Sequence, residues 1–179
     1  NKKELSGSSF WKTREQALQA ITGTYAALQS AAGDKWTWFE ETYVASEYKT
    51  DEMMNNKAEG YGKGLQSFSY TTDESSFTNF WHMCYAGINR ANQCIENIPN
   101  VSSNAQNGLS DEEKAELVAE AKFLRAHFYL LLQSYFTNIP LVTATPKNNA
   151  EFYAASASPE EVWQLIESDL TEAAAHLPE

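Results

Sequence analysis

The chain has 179 residues, which is enough for one domain or slightly more with a sizeable buried core. Its formal net charge of −11 argues against nucleic acid as a partner, because no basic surface is available to displace the counterions of phosphate groups. No apolar stretch approaches the roughly 20 residues that a membrane-spanning helix needs, and we expect no signal peptide within residues 1–179.

The first predicted helix begins near Thr13, because Gln16 follows three residues later at the spacing of a capping box. Gly33 is a natural C-terminal stop for this helix. Apolar residues recur between these points at helical spacing and predict one buried stripe, formed by Leu18, Ile21, Tyr25, Leu28 and Ala32.

Helical periodicity is absent from residues 34–72, a long stretch that is rich in aromatic residues. Loops of this length in a compact domain are unusual and are often functional. Sugar rings pack their C–H faces on Trp and Tyr, and their hydroxyl groups exchange hydrogen bonds with carboxylates and amides. This composition predicts a ligand site at Trp36, Trp38, Glu41, Tyr43, Asp51 and Asn55. The alternative is that the aromatic side chains only pack the loop onto the helices, since aromatic residues dominate protein cores.

The second predicted helix covers residues 77–98 and ends before Pro99. Cys84 and Cys94 lie on this helix about 15 Å apart along its axis, whereas a disulfide needs Cα atoms within about 7 Å. The two thiols therefore cannot pair, and Cys84 is expected to serve in packing. The predicted buried stripe consists of Phe77, Trp81, Cys84, Ile88, Ala91, Ile95 and Ile98.

The third predicted helix begins after Ser110, which stands at capping-box spacing from Glu113, and it ends near Asn138 because Pro140 cannot continue it. It should pack antiparallel to the second helix and be followed by a short extended segment. Its buried stripe is predicted at Leu117, Ala121, Leu124, Phe128, Leu131 and Tyr135, widened by Phe123, Leu130, Leu132 and Phe136.

Arg125 lies in the middle of the third helix among apolar neighbours. A buried charge must be paired, and Glu120, Asp169 or a backbone carbonyl could serve as its partner. We therefore interpret Arg125 as part of a structural ion pair between helices.

The last predicted helix opens with Ser158 as its cap, Pro159 at the first helical position and Glu161 as the capping-box partner. Its buried stripe is predicted at Val162, Ile166, Leu170, Ala173 and Leu177.

Residues 120–126 (EAKFLRA), followed by an aromatic-rich turn pair and residues 138–142 (NIPLV), resemble the signature of the SusD/RagB family. The segments 80–99 and 158–178 resemble the helices before and after it. Members of that family are surface lipoproteins of Bacteroidetes that capture nutrients, mostly glycans, for a partner outer-membrane transporter. Family members similarly place aromatic and polar sugar contacts in the loop after the first helix.

The resemblance implies an all-α fold of stacked antiparallel helix pairs, similar to tetratricopeptide units, with a long aromatic-rich loop. It implies that residues 1–179 form a single N-terminal helical domain of a longer protein. The expected location is the cell surface at the outer membrane, where a lipidated Cys upstream of this chain would be the only membrane attachment.

The function expected from the resemblance is non-catalytic binding of an oligo- or polysaccharide and its delivery to a SusC-like TonB-dependent transporter. The alternative is a scaffold that docks on the transporter, with the ligand site in sequence not present here. The ligand itself is left open between starch, another glycan and peptide.

No group of residues suggests catalysis, a metal or a cofactor. His82, His127 and His176 lie on three different predicted helices without the spacing of metal ligands. Glu40 and Glu41 could form half of a glycosidase pair, but adjacent residues seldom face each other across a bond. We therefore expect that the chain is not an enzyme.

Overall fold

The computed structural model describes residues 10–29, 46–54, 63–72, 74–103, 106–148, 151 and 153–178. Their elements in chain order are α1 (Arg14–Tyr25), a 3₁₀ turn (Ala26–Leu28), α2 (Lys63–Gln66), α3 (Ser75–Asn97), a 3₁₀ turn (Ile98–Asn100), α4 (Asp111–Tyr135), β1 (Ile139–Pro140), β2 (Ser156–Ala157) and α5 (Pro159–His176). The all-α fold class is confirmed, because β1 and β2 form only a two-residue antiparallel pair. None of the helices in these ranges has the length and hydropathy of a membrane-spanning segment.

Two compact units are present, Asn1–Tyr25 with Gly87–Glu179 and Ala26–Ala86, and the boundary between them falls within α3. We call them the helical unit and the loop unit. The expectation that residues 1–179 form a single domain stays a prediction.

The helix starts predicted from capping boxes are confirmed by their hydrogen bonds, whereas α3 begins at Ser75, two residues before the predicted start. At the start of α4, the Glu113 amide donates to Ser110 Oγ at 3.1 Å, and the Ser110 amide donates to Glu113 Oε2 at 2.9 Å. The donation from Ser110 and the hydrogen bond from Arg14 hold the pKa of the Glu113 carboxyl below its usual range. The same reciprocal hydrogen bonds join Thr13 with Gln16 and Ser158 with Glu161.

The helix ends differ more from prediction than the starts. α1 ends at Tyr25, before the expected stop at Gly33, which lies outside the described residues. Gly23 is a poor helix former, and the hydroxyl groups of Thr22 and Thr24 donate to carbonyls one turn earlier, which weakens the helix at this end. α4 likewise ends at Tyr135, ahead of the predicted Asn138.

The helical unit has a core where α1, the second half of α3 and the first half of α4 meet. Ile21, Ile98 and Leu117 are buried there together, and small residues lie between them. Small side chains let the helices approach closely, so their backbones pack where large residues would hold them apart. The cluster consists of Ala17, Ile21, Cys94, Ile98, Val101, Leu109, Leu117 and Ala121.

The buried faces were only partly predicted. In α4, Phe123 and Leu130 were expected inside but are 43% and 37% exposed, whereas Ala126 and Tyr129 are buried. In α5, Leu170 was expected inside and is 38% exposed. When only apolar residues are used to predict the buried face of a helix, the prediction fails wherever a small or charged residue packs against the neighbouring helix.

The stripes of α1 and α3 show the same effect. Tyr25 was expected inside but is 39% exposed, and Thr24 is buried in its place. Phe80 and Met83 of α3 are buried although the predicted stripe omitted them. The predicted residues Phe77, Trp81 and Ile95 are only half-buried.

From Gly87 onward, α3 packs antiparallel to α4, as predicted. Gly87 lies against the ring of Phe128, and Asn92, further along α3, accepts a hydrogen bond from Arg125, which lies earlier on α4. α5 continues the arrangement, because Lys122 of α4 pairs with Glu172 and Arg125 pairs with Asp169.

The close approach of α3 and α4 predicts opposite effects of the same substitution at two glycines. A Cβ at Gly87 would overlap the ring of Phe128, whose Cδ2 would be 2.7 Å away, so Gly87→Ala should lower the free energy of unfolding by about 1–3 kcal/mol. Gly23 of α1 has no neighbouring atom within 4 Å of such a Cβ, so Gly23→Ala should raise the free energy of unfolding by up to about 1 kcal/mol. Urea denaturation of both variants is the measurement. Equal effects at both positions would contradict the tight α3–α4 contact.

Candidate ligand-binding site

The structure describes one of the six residues predicted to bind a ligand. Asp51 is exposed and lines a cavity of about 670 Å³ in the loop unit. The prediction for the other five, Trp36, Trp38, Glu41, Tyr43 and Asn55, lies outside the described residues and stays a prediction.

The cavity lies between two segments, residues 49–54 and residues 66–68, and we call it the Phe68 cavity. Asp51 and Gln66 bring a carboxylate and an amide to its wall, and Phe68 brings an aromatic ring. Phe68 is 68% exposed and Met54 is 81% exposed, so the wall includes apolar surface that faces solvent. An open cavity with a few polar groups beside apolar side chains is the usual composition of a small-molecule site.

The backbone at Phe68 has a conformation that normally selects glycine. Its φ is 52°, and two hydrogen bonds close the end of α2: the Phe68 amide donates to the Leu65 carbonyl at 3.2 Å, and the Ser69 amide donates to the Gly64 carbonyl at 3.0 Å. These are the two bonds of a Schellman motif, in which the residue in the left-handed conformation is usually Gly. An L residue there costs about 1–2 kcal/mol.

The Phe68 backbone is held by the anchoring of α2. Leu65 is completely buried, which fixes the short helix to the loop unit. A side chain at Gly64 would fit tightly, because its Cβ would lie 3.1 Å from Glu74 Oε2 and 3.4 Å from the Tyr70 Cα. These contacts hold the backbone that carries Phe68.

Aromatic and cationic groups support the neighbouring surface of the loop unit. The rings of Tyr70 and Phe77 meet edge to face with centroids 5.3 Å apart. Lys49 Nζ lies 5.9 Å from the centroid of the Phe77 ring, a cation–π distance, and burial lowers the pKa of the Lys49 amine. Lys49 also lines the Phe68 cavity, so this contact positions part of its wall.

Sequence reasoning selected Asp51 but did not select Gln66 and Phe68, which line the same cavity. The available signal was the alternation of serine and aromatic residues in 67–70 (SFSY), a few residues after Gly64. A left-handed residue is usually recognised by glycine, and because Phe occupies this position, the end of α2 carried no ordinary turn signature.

Arg125 forms a buried hydrogen-bond network. Its Nε and Nη2 donate to the two carboxylate oxygens of Asp169 at 2.7 and 2.8 Å, and its Nη1 donates to Asn92 Oδ1 at 2.8 Å. Nη1 also reaches the Thr143 carbonyl at 3.2 Å. The predicted structural ion pair between helices is therefore confirmed, with Asp169 as the partner.

The same network fixes the chain after β1. The Tyr129 hydroxyl accepts from the Val142 amide at 2.7 Å and lies 3.0 Å from the Val142 carbonyl, while Asn92 Nδ2 donates to that carbonyl at 2.9 Å. Burial raises the pKa of Tyr129 to about 12, so the phenol stays protonated. These groups hold the helices and the extended segment together, which is a structural role.

Other reactive groups also occupy structural positions. Cys84 and Cys94 are free, buried thiols, and burial raises the pKa of Cys94 to about 11. This confirms the predicted lack of pairing and the packing role of Cys84. In the described ranges of the chain, no three His, Cys, Asp or Glu side chains come together as metal ligands would.

The comparison with protein families decides the classification. The SusD-like family described as "Starch-binding associating with outer membrane" matches residues 3–179, almost the entire chain. The chain belongs to the SusD-like family. This confirms the resemblance that the sequence motifs indicated.

Two curated SusD-like relatives come from Formosa agariphila. SusD-like protein P2 is 30% identical over 98% of this chain, and SusD-like protein P38 is 27% identical over 97% of it. The matches cover 33% and 32% of those proteins, so the chain spans about a third of the length of the curated relatives it matches.

Solved structures agree with the SusD-like fold. A SusD-like carbohydrate-binding protein from Bacteroides fragilis is 24% identical with a TM-score of 0.74, and the match covers 96% of this chain and 33% of that one. A laminarin-binding SusD-like protein is 26% identical with a TM-score of 0.71, and the match covers 93% of this chain and 35% of that one.

Proposed function

We propose that this chain is part of a surface protein that binds an uncharged glycan without cleaving it. The observation that carries the proposal is the SusD-like family match over residues 3–179, whose description names starch binding. The likeness to a laminarin-binding protein at 26% identity supports the same ligand class. The Phe68 cavity adds an exposed ring beside a carboxylate and an amide, which are groups that can hold a sugar.

The preference for an uncharged glycan follows from electrostatics. The chain carries a net charge of −11, and although Lys49 balances Asp51 on the wall of the Phe68 cavity, exposed Glu52 lies beside it, so the repulsion comes mainly from the chain as a whole. A polysaccharide with a carboxylate on every ring would be repelled by this field, whereas a neutral glucan would not.

Delivery to a partner follows as the second part of the proposal. The bound glycan passes to a SusC-like TonB-dependent transporter at the outer membrane, and the protein is held at the cell surface by a lipid anchor upstream of this chain. The family description, which names association with the outer membrane, supports this location.

Glycan binding without cleavage is tested by titrating the purified chain with laminarin, starch and polygalacturonate in a calorimeter. We expect binding to a neutral glucan and none to polygalacturonate. Reducing-sugar assays on the same mixtures should show no release, because glycosidases need a pair of positioned carboxyl groups. Release by the wild type that is lost in Glu41→Gln would overturn the non-catalytic proposal.

The predicted aromatic residues give a direct prediction within this function. If Trp36 or Trp38 stacks on a sugar ring, truncating that residue to Ala should cost about 2 kcal/mol or more in binding, roughly a thirtyfold loss of affinity. Titration of both variants, with a melting curve for each, is the measurement. Unchanged affinity in both would remove these two residues from the site, and weaker binding with a large drop in melting temperature would indicate core packing.

The alternative function is a scaffold that docks on the transporter, with the ligand site in sequence not present here. One observation favours it: Trp163 and Leu170 of α5 are 43% and 38% exposed and lie two turns apart on one side of the helix. A chain that binds no glycan yet binds the purified transporter, and loses that binding in Trp163→Ala, would establish this alternative.

A further inference from the structure

We propose that the Phe68 cavity is a sugar subsite in which the exposed ring of Phe68 is the stacking platform. The inference rests on the proposed glycan binding and assigns it to particular side chains. The inference requires that the Phe68 ring has a role other than stabilising the fold. The backbone conformation at Phe68 indicates such a role.

Phe68 occupies a position where the backbone favours glycine and where its side chain gains little from packing. The left-handed φ of 52° is imposed by the Schellman closure of α2, and the ring is 68% exposed. Neither the local conformation nor burial therefore accounts for an aromatic residue here. The backbone favours glycine and the ring is not buried, so a contact that forms only with a bound ligand best explains an aromatic side chain at this position.

Trp11 provides the contrast within the same chain. It also has a positive φ, of 67°, but it is half-buried and packs on the core cluster of the helical unit. Its ring also meets Phe10 edge to face at 5.1 Å. Packing therefore accounts for the aromatic side chain at Trp11, whereas the Phe68 ring lines a cavity and is largely exposed to solvent.

The remaining groups of the cavity match the chemistry of a sugar ring. The C–H face of a pyranose can lie on the Phe68 ring, while Asp51 can accept from its hydroxyl groups and Gln66 can both donate and accept. Met53 and Met54 supply flexible apolar surface beside the ring. The volume of about 670 Å³ falls within the range of small-molecule sites, roughly 300–1,000 Å³.

The decisive variant is Phe68→Gly, because glycine suits the left-handed backbone and removes only the ring. We expect it to bind laminarin or starch, whichever the wild type binds, about tenfold more weakly, with a melting temperature equal to or above that of the wild type. Phe68→Trp keeps an aromatic face and should retain wild-type affinity within about threefold. Asp51→Asn loses the charged acceptor and should also weaken binding.

Tyr153→Ala is the matched control, since Tyr153 is 86% exposed but does not line the cavity, and its affinity should equal that of the wild type. A Phe68→Gly variant with unchanged affinity, or with a lower melting temperature, overturns the subsite while glycan binding by the wild type still supports the proposed function. A wild type that binds neither glucan overturns both. A wild type that binds neither glucan is also the result expected if the cavity binds protein and no sugar.

Discussion

Replacing Asp169 with Asn is expected to lower the free energy of unfolding by about 3–5 kcal/mol. Asn keeps the shape of the side chain but leaves the guanidinium of Arg125 without a counter-charge, and both residues are almost completely buried, at 2% and 5% exposed. A buried charge that loses its partner retains its desolvation penalty without the compensating attraction. Denaturation by urea, followed by circular dichroism, measures the loss.

The matched control is the second ion pair between α4 and α5. Lys122 and Glu172 lie one turn away from Arg125 and Asp169, and the carboxylate of this pair is open to solvent, because the side chain of Glu172 is 53% exposed while that of Lys122 is 16% exposed. Exposed pairs contribute about 0–1 kcal/mol, so Glu172→Gln should have a small effect. If Asp169→Asn cost no more than Glu172→Gln, water would have to reach the Arg125 pair.

The double variant Arg125→Met with Asp169→Leu tests whether the loss in Asp169→Asn comes from the unpaired charge. Removing both partners together leaves no unpaired charge, so the double variant should lose less stability than either single variant. Asn92 and the Thr143 carbonyl would still lose their donor from Arg125, so some loss should remain. A double variant that loses the sum of the two single effects would show that the two side chains act independently.

The local signals in the sequence predicted the helix starts well, because a capping box is a short pattern with its own hydrogen bonds. Ser110 and Ser158 form the reciprocal capping hydrogen bonds with Glu113 and Glu161 that their three-residue spacing predicts. The need of Arg125 for a partner was also readable, since charge among apolar neighbours demands one. The sequence alone could not choose among its three possible partners, because that choice depends on how α5 lies against α4.

The buried faces were less predictable because hydrophobicity is only one reason for burial. Asp169 is buried by its ion pair, and the neighbouring Leu170, which a hydrophobic stripe selects, is left partly exposed. Thr24 is buried because its small side chain lies against Cys94 Sγ at 3.5 Å, while the larger Tyr25 is 39% exposed. Steric fit between helices decides these positions, and a single sequence does not record it.

The candidate site was predicted by composition and remained incomplete for a physical reason. Asp51 was selected because acidic residues near aromatic ones suggest sugar binding. Phe68 was not selected because its proposed role rests on its backbone conformation, which arises when Leu65 is buried and α2 closes. Such a conformation becomes visible only in three dimensions.

Replacing Leu124 with Ala is expected to lower the free energy of unfolding by about 2–5 kcal/mol. Leu124 is 1% exposed on the buried face of α4, so the truncation removes apolar contacts and leaves a cavity that the antiparallel helices cannot fully close.

Leu130→Ala is the matched control, because the same substitution on the same helix removes a side chain that is 37% exposed. The control should lose less than about 1 kcal/mol, since a partly exposed side chain gives up less buried area and leaves no closed cavity. Urea denaturation of the two variants side by side measures the difference. Similar losses at both positions would mean that α4 is rotated so that Leu124 and Leu130 have comparable surroundings. A large loss only at Leu124 would place the core on the face of α4 that carries Ala121, Leu124 and Phe128.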